Sequence, residues 1–489
     1  MMKLRRLAPA FIALSLAVFA FATPASRAQN LPAGSRNTDA LRQTLSRIAQ
    51  RVPGNGVVGV AVMDVTTGAE IFARNGDELL NPASNAKIVT AACALKILGP
   101  EYRFETSLHG KRDGAAIRGA IYIKGHADPT LSTLDLRKMV DVLREMGVRR
   151  VEGGVVVDDT YFDGENLPYA FDQQPREDNK FRSPVGAVSL NHNALSIVIR
   201  PGPTGMVKAR VKLDPPGYAV LTNDTITVGQ GAHNPKISAI SFEGRTRVRV
   251  WGSVPLGARP VTYFRRIDNP SLFTGHGLRN VLEKAGISVG GDVRVGPLPP
   301  GTPRLASNLS EPLSSILLET GKMSNNFVTE MVLKTIGAQT GEMPATWDAA
   351  TSAVEKVLEE WGLPAGSYTY RNGSGLFDAN LFSARQFVKV LRSVYLDSGV
   401  RPEFLSQLAT GGVDGTIKSR YRKESVKRRV RAKTGTLSDV AALSGYVMDH
   451  QGRNPIAFSI LVNKAPGYVS ASRGYQEDIV TAIAEYLNP

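Results

Sequence analysis

A chain of 489 residues is longer than one ordinary hydrophobic core organises, so at least two cores are expected. Charged residues at 21% and hydrophobic ones at 42% exclude a disordered or fibrous protein. The single cysteine, Cys93, excludes an internal disulfide, and a formal charge of +15 favours anionic surroundings.

Lys3, Arg5 and Arg6, the apolar run Leu7 to Ala22, and Ser26-Arg27-Ala28 read as a signal peptide over residues 1–28. The run is short for a spanning helix and contains Pro9, and no second long apolar segment follows. The expectation is an exported protein of the periplasm or cell-wall space, with no stable membrane insertion. Cleavage removes four bases and no acid, taking the charge from +15 to +11.

A helix is predicted over Thr38 to Gln50, with Leu41, Leu45 and Ile48 on one stripe, then strands over Gly56 to Val65 and Ala69 to Arg74. Asn81-Pro82-Ala83-Ser84 opens a helix that runs through Leu98 and stops at Gly99-Pro100. Ser84, Lys87, Ile88, Ala91, Leu95 and Leu98 form one stripe along it. Cys93 falls on the opposite side and reads as a buried structural thiol.

Between about residues 102 and 305, short β-type runs such as Ala120 to Lys124, Val155 to Asp158 and Leu195 to Arg200 alternate with turn residues. A helix over Thr133 to Glu145 interrupts them, and there is no repeat. Toward the end, strands are predicted over Val430 to Thr436, Ala441 to Met448 and Pro455 to Val462, with a closing helix from Ser472 to Leu487. Nine Lys or Arg residues fall between Lys418 and Lys433, with Tyr421 as the one aromatic. This run reads as a polyanion-facing or solvated lip and not as a nucleic-acid site.

Three short patterns carry chemistry. Ser84 sits at a helix start, where backbone donors favour developing negative charge. Lys87, one turn on, points toward the core, where desolvation lowers its pKa and lets it act as a base toward the hydroxyl. Ser324-Asn325-Asn326 lies on a turn before an apolar helix, so that Ser324 can shuttle a proton and Asn326 can hold a substrate amide. Lys433-Thr434-Gly435-Thr436 follows an alternating strand: its Lys and Thr side chains suit a carboxylate, Gly435 allows close approach, and the Thr436 and Ser84 N–H groups suit an oxyanion.

The ordered set resembles the penicillin-binding proteins and serine β-lactamases. The 240 positions from Ser84 to Ser324 place a large insertion between the first two motifs. That layout is similar to the type-4 penicillin-binding family of D-Ala-D-Ala carboxypeptidases and endopeptidases. Leu98-Gly99-Pro100, Ala127-Asp128-Pro129-Thr130-Leu131 and Asn372-Gly373-Ser374-Gly375-Leu376 are also close to that family. The resemblance implies an α/β (α+β) transpeptidase-like catalytic domain over 29–101 and 306–489, with an antiparallel sheet flanked by helices. It also implies an inserted β-rich domain over 102–127 and 193–305, and a second α/β insertion over 128–192.

By the same resemblance Ser84 forms an acyl-enzyme, Lys87 is its base, and Ser324 and Asn326 complete the centre. Lys433, Thr434, Gly435 and Thr436 bind the substrate's carboxylate and oxyanion. Partners would be peptidoglycan stem peptides, their cross-links and β-lactams, with no metal or cofactor. Where the family often has Ser-Arg, this chain has Phe377-Asp378, and Asp378 would repel a carboxylate on the substrate side chain. Glu177 and Asp178 are candidates for the acid that meets a side-chain amine.

Gly286-Ile287-Ser288-Val289-Gly290 matches a hydrolase elbow in letters, but a helix precedes it and a strand follows, the reverse of what that motif needs. The six histidines show no zinc-site spacing. A serine β-lactamase would share the nucleophile, yet it leaves the insertion unexplained. A cell-wall-binding protein with a weakened site is the non-enzymatic alternative, disfavoured by intact motifs.

Overall fold

The computed structural model describes residues 37–341 and 343–487, so the expected signal peptide lies outside the described residues. Six antiparallel strands form a sheet in the order Ala409–Thr410, Val430–Thr436, Ala441–Val447, Ile456–Asn463, Val57–Asp64 and Glu70–Arg74. The two ends of the chain are neighbours in it, with Val60 opposite Ile460.

Successive side chains alternate between two cores, as the pleat requires. Val58, Val60, Phe458 and Ile460 pack on Leu41 and Leu45 of helix Thr38–Ala49 and on Ile479 and Ile483 of helix Val469–Leu487. Ala61, Met63, Ala442, Tyr446 and Leu461 face a group of helices on the other side.

At the centre of that group, helix Ala86–Leu98 is buried at every position from Ala86 to Leu95. This corrects the expected one-sided stripe. Residues of helices Leu313–Gly321, Asn326–Thr340, Trp347–Glu360 and Ala384–Leu396 share its core, and a helix apolar all round is a core helix. Cys93 is fully buried, and burial pushes its thiol pKa up, which fits the structural reading.

The stretch between the first two motifs carries a seven-stranded mixed sheet and two three-stranded sheets. In the larger sheet Ala116–Gly125 pairs in parallel with Arg150–Val151 and Val155–Asp158. These pair in turn with Ser288–Val289 and Val293–Val295. The sheet therefore takes strands from 102–127, 128–192 and 193–305 alike, and it does not divide at the expected boundaries. Parallel neighbours need crossovers. Here helices Thr133–Glu145 and Pro270–Lys284 bury Leu136, Met139, Phe273 and Leu282 against Ile121, Ile123, Val155 and Val157. No helix of the described residues is long and apolar enough to cross a membrane.

Candidate active site

Ser84 does not start an α-helix, as expected from Pro82, but sits in a 3-10 turn, Ala83–Asn85, that feeds the helix at Ala86. Ala83 holds φ at 44°, a region that disfavours side chains, and such positions persist only where surroundings fix them. The surroundings here are buried amides. Asn81 N–H donates to Asn463 Oδ1 at 2.8 Å, Asn463 Nδ2 donates back to Asn81 O at 2.9 Å, and Asn85 Nδ2 donates to Ser444 Oγ at 2.7 Å. The turn is thereby bolted to two central strands of the antiparallel sheet.

Lys87 is 1% exposed, and its Nζ lies 2.9 Å from Ser84 Oγ, 2.7 Å from Asn326 Oδ1 and 2.6 Å from Ser374 O. Burial lowers its pKa to about 7, against an opposing pull from Glu330. Glu330, fully buried one turn beyond Asn326, accepts from Gly373 N–H at 3.0 Å and Ser374 N–H at 2.7 Å. Burial holds its carboxyl above the usual range. Glu330 is not among the residues that the sequence motifs single out; its signal there is an acid at i+4 from Asn326, the one acid on a helix that also carries Lys334.

The Asn372-Gly373-Ser374-Gly375 loop, noted in the sequence only as a resemblance, therefore supplies the carbonyl beneath Lys87. Gly375 has φ 71°, and a Cβ there would overlap the Ala83 carbonyl oxygen, so only glycine permits this approach to the serine turn.

From the other side, Lys433 Nζ donates to Ser324 Oγ at 2.8 Å and to Thr434 O at 2.7 Å. Burial, and then the charge of Lys87, push its pKa well below the ordinary value. Ser324 adopts φ 58° just before helix Asn326–Thr340, whose N-cap is Asn325. On the strand, a Cβ at Gly435 would stand 2.6 Å from Pro82 O, so the absence of a side chain lets Val430–Thr436 lie against the serine turn. Ser84, Ser324, Thr434, Gly435 and Thr436 line one cleft of about 680 Å³. All three motifs thus converge.

The remaining candidates do not. Asp178 is engaged in the insertion, where Oδ1 lies 3.1 Å from Arg265 Nε and Oδ2 accepts from Ala239 N–H at 2.9 Å. Glu177 Oε1 accepts from Asn179 N–H at 2.8 Å, closing its own turn. Neither lines the cleft. Glu177 is used by backbone two residues on, and Asp178 by partners 61 and 87 positions away that sequence position alone does not reveal. The same loop does reach the site through a main-chain atom, because Phe181 O accepts from Asn326 Nδ2 at 3.0 Å. Asp378 is exposed, with Oδ1 accepting from Asn81 Nδ2 at 3.0 Å.

The chain matches the D-Ala-D-Ala carboxypeptidase 3 (S13) family over residues 41–486. It is 35% identical over 484 residues to a D-alanyl-D-alanine carboxypeptidase of an Actinomadura species, covering 93% of this chain and 86% of that one. The crystal structure of penicillin binding protein 4 from Haemophilus influenzae superposes with a TM-score of 0.76 at 22% identity, over 90% of this chain and 98% of that one. A predatory endopeptidase from Bdellovibrio bacteriovorus has a TM-score of 0.51 at 15% identity, over 88% and 94%. With a family match across nearly the whole described chain and all three motifs meeting in one cleft, this protein belongs to the D-Ala-D-Ala carboxypeptidase 3 (S13) family of serine peptidases.

Proposed function

We propose that the protein hydrolyses D-Ala-D-Ala-type bonds of peptidoglycan stem peptides through an acyl-enzyme on Ser84, and that β-lactams acylate the same oxygen. The observation that carries this reading is the set of partners around Lys87. A neutral amine has two N–H donors and one lone pair. Asn326 Oδ1 and Ser374 O can only accept, so they take both donors, and the lone pair is left for the Ser84 hydroxyl at 2.9 Å.

In the proposed sequence the lone pair accepts the Ser84 proton as Oγ attacks the carbonyl carbon of the penultimate residue. The Ser84 and Thr436 N–H groups stabilise the oxyanion. Ser324, held by Lys433, relays the proton now on Lys87 to the leaving amine, which leaves Lys87 neutral again, and the leaving group's carboxylate rests on Lys433, Thr434 and Thr436. Water then attacks the ester and restores Ser84. Asn326 Nδ2 exchanges Phe181 O for the substrate's backbone carbonyl.

Finer assignments are part of the same proposal. Asp378, exposed beside the serine turn, disfavours a free carboxylate on the side chain of the acyl-donor residue. Export to the periplasm or cell-wall space is proposed from the signal-peptide pattern of residues 1–28. Residues 102–305 are proposed as an insertion organised around the seven-stranded sheet.

Labelling with a fluorescent penicillin tests the reading. Wild-type protein should take label stoichiometrically and Ser84→Ala none; an unlabelled wild type would favour a binding module. Rapid turnover of penicillin by the wild type would favour a β-lactamase.

A further inference from the structure

The cleft does not end at the carboxylate site. Thr434 Oγ1 donates to Thr416 Oγ1 at 2.8 Å, and beyond Thr416 the wall continues through Ser419 and Arg420 to Arg473, Gln476 and Glu477 of the C-terminal helix. A terminal D-alanine presents only a methyl group in that direction. A space of about 680 Å³ holds far more, being in the range of a complete small-ligand site.

The chemistry of this far end is donor-rich. Arg420 Nε pairs with Glu477 Oε1 at 2.6 Å, while its Nη2 donates to Arg473 O at 3.0 Å and Gln476 Oε1 at 3.2 Å. These bonds fix the guanidinium and leave its Nη1 without a partner among the described residues. Gln476 is 1% exposed, and its Nε2 faces no acceptor among the described residues, a costly state for a buried donor. Arg473 is exposed, and its side chain likewise has no partner among them. Glu477, the one acid lining the cleft, is already paired.

We propose that this end is a second subsite, which receives an extended, carboxylate-bearing side chain on the leaving D-amino acid, as a cross-linked stem presents. The subsite rests on the reading of Ser84 as the acylated nucleophile with the leaving carboxylate at Thr434. An anionic extension supplies the acceptors that Arg420, Arg473 and Gln476 lack; a methyl group leaves them unmet. The same subsite would make cross-links better substrates than free termini.

The test compares two N-acylated peptides, one ending in D-Ala-D-Ala and one in D-Ala-D-Glu, by kcat/KM on purified full-length protein, Arg473→Ala and Arg473→Glu. Arg473 is exposed, so neither variant disturbs a core. The ratio of the D-Glu to the D-Ala peptide should fall about tenfold in Arg473→Ala, the scale of one charge-assisted hydrogen bond, and further in Arg473→Glu. Cleavage of both peptides at a ratio that neither variant changes would overturn the subsite alone. Failure of the wild type to cleave either peptide would overturn the parent reading, and the subsite with it.

Discussion

The two ends of the cleft are built on opposite terms. Beneath Ser84, Lys87 has an acceptor for each donor, Glu330 pins the loop that supplies one of them, and Lys87, Glu330 and Ser374 are buried in the core. At the C-terminal helix, donors outnumber acceptors, and Arg473 stands in water. A reacting centre needs fixed distances and a desolvated amine, and a closed network supplies both. A recognition surface needs groups that a ligand can complete, and there an unfilled donor is a source of selectivity.

Loss of the nucleophile at the buried end should be the most severe change. Ser84→Ala should lower D-Ala release by at least about 10⁴-fold, as loss of a nucleophile does in other serine hydrolases, with unchanged circular dichroism. Gly375→Ala should come next. Its Cβ would overlap the Ala83 carbonyl and hold an unfavourable φ, so unfolding in urea should show a loss of at least about 2 kcal/mol together with slower acylation.

Glu330→Gln sharpens the contrast. Removing the anion that supports the Lys87 ammonium should move the midpoint of the pH–acylation profile to lower pH, whereas a purely structural role would lower Tm and leave the midpoint in place. Asp378→Arg, at the exposed rim, should have the smallest effect. A change of about two- to fivefold in favour of substrates with a side-chain carboxylate is the scale of a screened surface charge.

Much of the buried end was legible in the residues. Ser-x-x-Lys spacing on a helix and Lys-Thr-Gly-Thr on an alternating strand encode local geometry, and strand Val430–Thr436 falls where its pattern places it. The burial of Lys87 was anticipated, but for a partial reason. The helix is enclosed on every side, and that enclosure depends on helices hundreds of positions away.

Glu330, the Phe181 carbonyl and the part of Arg473 and Gln476 in the wall were not legible, because each acquires meaning only from a tertiary neighbour; Arg420 was legible only as part of the basic run Lys418 to Lys433. Glu177 and Asp178 illustrate the converse. Their chemistry suited a ligand, but nearby backbone and Arg265 use it. In the insertion, two- and three-residue strands such as Ser288–Val289 and Val293–Val295 are too short to carry a period, so the sheet that joins them could not be read from pattern.

In the proposed chemistry a desolvated lysine, neutral near physiological pH, takes the proton of Ser84. The most direct test is the second-order rate constant for acylation by a penicillin, measured against pH on the wild-type protein. Lys87 accepts a proton only when neutral, so the rate should rise with pH through a midpoint near 7. A profile with no inflection there, or a rise only at the ordinary lysine value of 10.5, would contradict the account.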